Sequence, residues 1–179
     1  MFNNQSNSLE SILGKNFYYS FELANLRFYS RRNHIETSLG LRFTFMDYAL
    51  NDTAITFRKD SDGVYQPFPI LNESTKYNGK KSKIHASYIG VPVKVAYRAG
   101  RGKVYLGASA DYLLNGYTKY KRPAYRESTV DLFNRFRASA EAGFAYGILG
   151  VFANYGVTTL FPSNWDKAHS FTFGLTVMM

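Results

Sequence analysis

From residue 34 onward two kinds of side chain alternate along the chain. Ile35, Thr37, Leu39, Leu41, Phe43 and Phe45 interleave with His34, Glu36, Ser38, Gly40, Arg42 and Thr44. A period of two sends these sets to opposite faces of a strand. The first set is almost continuously apolar, while the second is crowded with Gly, Ser and single charges. The pattern recurs in segments of about 10 to 17 residues, and the connections between them alternate short and long. It predicts an all-β chain, an antiparallel up-and-down transmembrane β-barrel with lipid outside and a polar lumen inside. The alternative is a soluble barrel or sandwich, with the polar set in water and the apolar set around a core.

Composition narrows the choice. A chain of 179 residues suggests one domain spanning 1–179. Its 15 Tyr and 15 Phe exceed what a soluble domain of this size needs. Tyrosine suits a membrane–water boundary, since its ring is apolar and its hydroxyl seeks water. Mean hydropathy is −0.28, and no apolar run reaches the about 18 residues of a transmembrane helix. Cysteine is absent, which excludes disulfides and thiolate metal sites. The net charge of +9 is split among Lys76–Lys83, Lys119–Arg126 and the Arg31-Arg32 turn. Aromatic residues lie mostly in strands rather than among these basic runs, which disfavours nucleic acid as a partner. Met1–Ser6 has neither a basic nor an apolar leader region. An exported protein needs one, so the chain is expected to lack both the signal peptide and a first strand.

Seven strands can be placed, at about 16–29, 34–50, 83–98, 103–119, 132–146, 150–160 and 169–179. Connections 31–33, 99–102 and 147–149 are tight, whereas 51–82, 120–131 and 161–168 are longer and polar. Outer-membrane barrels show this asymmetry, with short periplasmic turns and long exterior loops. Such barrels close with an even strand number, so eight are expected in the full protein. If 31–33 is periplasmic, residues 1–13 are exterior and irregular, and the missing strand precedes Met1. Residues 53–59 and 64–71 suit a hairpin with Asp62-Gly63 at its turn. Leu26 and Phe28 break the parity of Phe17, Tyr19, Phe21 and Leu23, predicting a bulge near Asn25. Pro92 lacks an N–H, predicting a bulge or weak pairing around it.

Ser82-Lys83-Ile84 followed by Tyr88-Ile89-Gly90-Val91-Pro92-Val93-Lys94-Val95-Ala96-Tyr97 resembles a strand of PorT-like outer-membrane β-barrel proteins. Val104–Ala108 with Leu114, Ala153–Gly156 and Phe171–Leu175 fit the same family, over roughly residues 34–179. The resemblance implies an eight-stranded barrel in a Gram-negative outer membrane. It also implies a part in envelope biogenesis or secretion, the namesake being a secretion or maturation factor.

An eight-stranded barrel is only wide enough for side chains to fill it. Glu22, Glu36, Arg42, Lys94, Asp111, Arg137 and Glu141 are expected to face that lumen as a nearly neutral ion-paired network. The same residues could form an ion or proton path. No cofactor or metal is expected: Gly100-Arg101-Gly102-Lys103 lacks the spacing and hydroxyl of a phosphate loop, and the histidines show no ligand spacing. No catalytic set stands out. The one enzymatic alternative is His85-Ala86-Ser87, which resembles the His-x-Ser of outer-membrane lipid A deacylases. Lys76, Lys80, Lys81 and Lys83, with Lys119, Lys121, Arg122 and Arg126, are expected on one exterior rim. Flanked there by Tyr77, Tyr88, Tyr117, Tyr120 and Tyr125, they would face lipopolysaccharide phosphates. Outer-membrane lipid and an envelope protein complex are thus the expected partners.

Overall fold

The computed structural model describes residues 16–31, 34–50, 55–59, 61, 65–69, 82–120, 125–162 and 168–177. Seven strands form the wall: β1 (Phe17–Tyr29), β2 (Ile35–Ala49), β5 (Ser82–Ala99), β6 (Gly102–Tyr120), β8 (Phe136–Tyr146), β9 (Leu149–Gly156) and β10 (Phe171–Val177). They are hydrogen-bonded in the order β1-β2-β5-β6-β8-β9-β10, each antiparallel to the next. A short β7 (Tyr125–Ser128) extends the outer end of β6, and β3 (Ile55–Lys59) with β4 (Tyr65–Pro69) forms a separate hairpin. No helix among the described residues could cross a membrane; the crossing elements are strands.

The sheet curls so that one face is buried and the other bare. Along β2, Glu36, Ser38, Arg42, Thr44, Met46 and Tyr48 are buried. Their opposites include Ile35 and Leu39, at 50% and 40% exposure. Phe136, Phe173 and Leu175 reach 73%, 70% and 84% exposure, which only a hydrocarbon environment makes favourable. Cross-strand rings extend this apolar belt: Tyr19 lies 4.9 Å from Phe45 and Phe21 lies 5.6 Å from Phe43. The tight turns at 99–102 and 146–149 share one rim with Ser30 and His34, linked by Arg98 N–H to His34 O and Gly147 N–H to Arg101 O. Gly100 and Gly147 adopt φ of 59° and 63°, which L side chains rarely take. By the sidedness of such barrels this rim is periplasmic.

The irregularities expected near Asn25 and around Pro92 are present, and the outer ends of two strands are corrected. The bulge in β1 falls between Glu22 and Ala24, before Asn25, and turns Arg27 toward the lumen opposite Ser38. Pro92 keeps its place opposite Ser109, while the β2–β5 ladder has no rung between Leu39–Val93 and Arg42–Gly90, the weak pairing expected around Pro92. The neighbouring bulge lies between Ser87 and Tyr88, where β6 carries the extra residue. Residues 132–135 and 157–160 were expected as strand. The chain instead makes a 3-10 turn at Val130–Leu132 and an irregular stretch after Gly156. These segments dive inward: Leu132, Phe133, Leu160 and Phe161 are at most 3% exposed. Burying them against Tyr88 and Leu113 outweighs two more rungs of pairing. The expectation of an irregular segment at residues 1–13 and of a turn at Asp62-Gly63 falls outside the described residues.

The outer end of the barrel is therefore capped by an apolar cluster. Phe57 and Tyr65 of the hairpin join Met46, Tyr48, Leu50, Ile84, Leu132, Phe133 and Phe161. Lys59 ties the hairpin to the 3-10 turn by a 2.8 Å ion pair with Asp131. Hydrogen bonding to Lys59 holds the Asp131 carboxyl below its ordinary value, and the same bond raises Lys59. A lowered carboxylate contributes above its unfolded pKa of about 3.9 and loses that contribution as pH falls through the folded value. The hairpin should therefore resist external protease at neutral pH and become more susceptible in acid, and again in strong alkali as Lys59 loses its proton. Lys59→Gln should remove that acid dependence. Phe57→Ala, which empties a fully buried site at a cost of about 3–5 kcal/mol, should expose the hairpin at every pH. In each case, limited proteolysis should leave heat-modifiable gel migration of the barrel intact.

Candidate functional site

The period-two pattern of five strands delivers the charged residues to the lumen. Arg42 of β2 bonds Glu141 of β8 at 2.8 Å and lies 3.7 Å from Asp111 of β6. Asp111 also takes Arg137 of β8 at 3.2 Å. Lys94 of β5 pairs with Glu22 of β1 and reaches Glu141 at 3.6 Å. Six of the seven residues expected in the lumen thus form one connected network. It holds three cations (Arg42, Lys94 and Arg137) and three anions (Glu22, Asp111 and Glu141), so its centre is neutral. Hydroxyls and an amide extend it: Arg42 donates to Ser109 at 2.7 Å, and Arg137 to Asn154 at 2.8 Å. Gly90 is required beneath it, because a Cβ there would sit 1.8 Å from an Asp111 oxygen.

Glu36, the seventh residue, belongs to a second cluster at the periplasmic mouth. Lys103 reaches it at 2.7 Å, Arg98 at 3.6 Å and Arg27 at 3.9 Å. Sequence reasoning missed all three partners. Lys103 shares the lumenal parity of Asp111 but stands beside a turn, and Arg27 faces inward only because of the β1 bulge. Above the networks lies the apolar cap, so the lumen grades from cationic mouth to neutral ionic centre to apolar plug.

On the outer rim the described members of the expected basic set fall in a single row. Lys83 opposes Lys119 across β5–β6, and Lys119 opposes Arg126 across β6–β7. Directly opposed like charges repel unless an anion intervenes. Asp47 meets Lys83 at 3.5 Å, and Arg126 stacks over Tyr117 at 3.8 Å. Lys76, Lys80, Lys81, Lys121 and Arg122 lie outside the described residues, as do Tyr77 and the side chains of Tyr120 and Tyr125. Tyr88 is not at headgroup level. Its position shares the inward parity of Ile84 and Ala86, and it is 1% exposed beneath Arg137.

His85 lies on the outward face in this rim. Its Nδ1 is 2.5 Å from an Asp47 oxygen, and Tyr117 stacks on its ring at 4.5 Å. Ser87 shares that face, but its hydroxyl donates to the Asn115 carbonyl at 3.4 Å. Asp47 is the acidic partner that sequence could not identify, since it comes from the adjacent strand.

A curled antiparallel sheet, apolar outside and ion-paired inside, defines an integral β-barrel of the bacterial outer membrane. The family model described as an outer membrane protein beta-barrel domain matches residues 2–179, and the chain belongs to that family. No curated protein and no solved structure matches it.

The neutral centre carries a stability prediction. Asp111→Asn leaves Arg42 and Arg137 short of a buried counter-charge and should cost about 3–5 kcal/mol. Exposed Lys119→Gln should change stability by less than about 0.5 kcal/mol. Urea unfolding followed by heat-modifiable migration should separate the two.

Proposed function

We propose that the protein is a non-enzymatic, non-conducting barrel that acts as a scaffold or accessory partner in envelope biogenesis or secretion. The observation that carries this reading is the filled lumen. An ionic network with equal numbers of cations and anions lies under an apolar cap built from three loop segments. An ion entering from the periplasm would have to break paired charges and then cross an apolar layer, and both steps are costly. The resemblance to PorT-like proteins supports placing the scaffold in secretion. The row Lys83, Lys119 and Arg126 beside Tyr117 supports lipopolysaccharide as its outer-leaflet contact, each cation being worth about 1 kcal/mol at an anionic surface.

A second reading is favoured by one contact. Asp47 orients His85 two residues from Ser87, at the height of outer-leaflet headgroups, as an acyl-ester hydrolase would need. The Ser87 bond to the Asn115 carbonyl weighs against it.

Three measurements separate these possibilities. In planar bilayers the protein should be silent, and discrete conductance steps altered by Glu141→Gln would establish a pore instead. Replacing Lys83, Lys119 and Arg126 by Gln should weaken binding to lipopolysaccharide micelles at least tenfold at low salt. Unchanged binding would leave these as solvated side chains. Expression should leave the lipid A mass spectrum unchanged; a lost acyl chain, restored by Ser87→Ala, would establish the hydrolase. Pull-down from native membranes should recover an envelope complex if the scaffold reading holds.

A further inference from the structure

The two ionic clusters of the lumen differ in charge balance. The deep one is neutral, with three cations against three anions. At the periplasmic mouth, Arg27, Arg98 and Lys103 share the single carboxylate of Glu36. Glu36 is 2% exposed, whereas the side chains of Arg98 and Lys103 retain 45% and 19% of their surface. The flanking turns add Arg31 and Arg101, both exposed. The excess does not depend on Arg27, which has further contacts of its own. Lys103, Arg98, Arg31 and Arg101 already outnumber Glu36, the only acidic side chain described at this rim.

This charge borders a cavity that opens between the edges of β1 and β10, which are unpaired among the described residues. The cavity, about 410 Å³, is lined by Glu36, Arg27, Lys94, Lys103, Tyr105 and Phe152, among others. Its volume lies within the range of small-molecule sites, which combine an apolar wall with a few convergent polar groups. The apolar cap covers the outer end and the open edges face hydrocarbon, so a water-borne solute reaches this space from the periplasmic side.

We propose that the periplasmic mouth binds a compact solute carrying at least two negative charges, of the phosphorylated or polycarboxylate class. Arg98 and Lys103 hold the anionic groups by charge-assisted hydrogen bonds while remaining in contact with Glu36. Tyr105 and Phe152 bound the rest of the molecule. The site depends neither on the outer rim nor on what the barrel scaffolds.

The test uses the full chain in neutral detergent, titrated calorimetrically at low salt with pyrophosphate and with citrate, and with sucrose as the uncharged control. One-to-one binding of an anion is expected, with none for sucrose. Arg98→Gln should weaken it at least tenfold, Arg98→Lys should recover most of the loss, and Lys119→Gln on the opposite rim should leave it unchanged. In the unaltered protein, pyrophosphate should protect Lys103 but not Lys119 from amine acetylation read by mass spectrometry. Absence of binding, equal weakening by Lys119→Gln, or unprotected Lys103 would each overturn the proposal.

Discussion

Hydrocarbon offers a backbone N–H no partner, so every peptide group at membrane depth must be satisfied by another strand. The rest of this structure follows from that requirement. It makes the wall a continuous antiparallel ladder, and the pleat of the ladder then sorts side chains by parity into lipid-facing and lumen-facing sets. It also explains why bulges matter more here than in a soluble sheet. One extra residue in β1 at Leu23 turns Arg27 inward, and one in β6 at Leu114 turns Tyr117 outward. The same requirement bears on the two edges. Counting through the three short turns, β1 and β10 both run toward the periplasmic rim, so they cannot pair antiparallel with each other. Among the described residues β1 pairs only with β2 and β10 only with β9. Antiparallel closure takes one more strand, running from the periplasm outward and apolar on its lipid side.

Parity alone would place charges in the lumen without deciding whether they can remain there. A buried charge is tolerated only when paired and hydrogen-bonded. The deep network meets that condition through shared partners: Asp111 serves Arg42 and Arg137, and Glu141 serves Arg42 and Lys94. Sharing makes the network cooperative, so removal of one carboxylate strands two cations on different strands. Gly90 fits the same logic, since its missing side chain leaves room for Asp111 close to the β5 backbone.

The wall and its inner face were largely legible in the sequence, because period two is a strong signal when both faces are chemically distinct. Arg42, Asp111, Arg137 and Glu141 declared themselves by standing in the polar set of otherwise apolar strands. Features set by tertiary packing were not legible. Leu132, Phe133, Leu160 and Phe161 continue the apolar run of their strands, and only the presence of a lumen to fill turns them inward as a cap. Lys103 and Arg98 sit beside a tight turn, where a cation is ordinarily solvated. Their convergence on Glu36 depends on three strands meeting at one mouth. Asp47 could not be paired with His85 from sequence, because a neighbouring strand supplies it across a 38-residue separation.

The two ends of the lumen are consequently unlike, and the difference gives the molecule a direction. Loops on the exterior side carry the aromatic and aliphatic residues of the cap, so the outer end is held chiefly by the hydrophobic effect. Turns on the periplasmic side are too short to fold over the opening and carry arginines instead. That end remains open, polar and governed by electrostatics that salt screens over about 8–10 Å. The gradient from apolar cap to neutral centre to cationic mouth gives the inner face of the sheet a chemical polarity from exterior to periplasm.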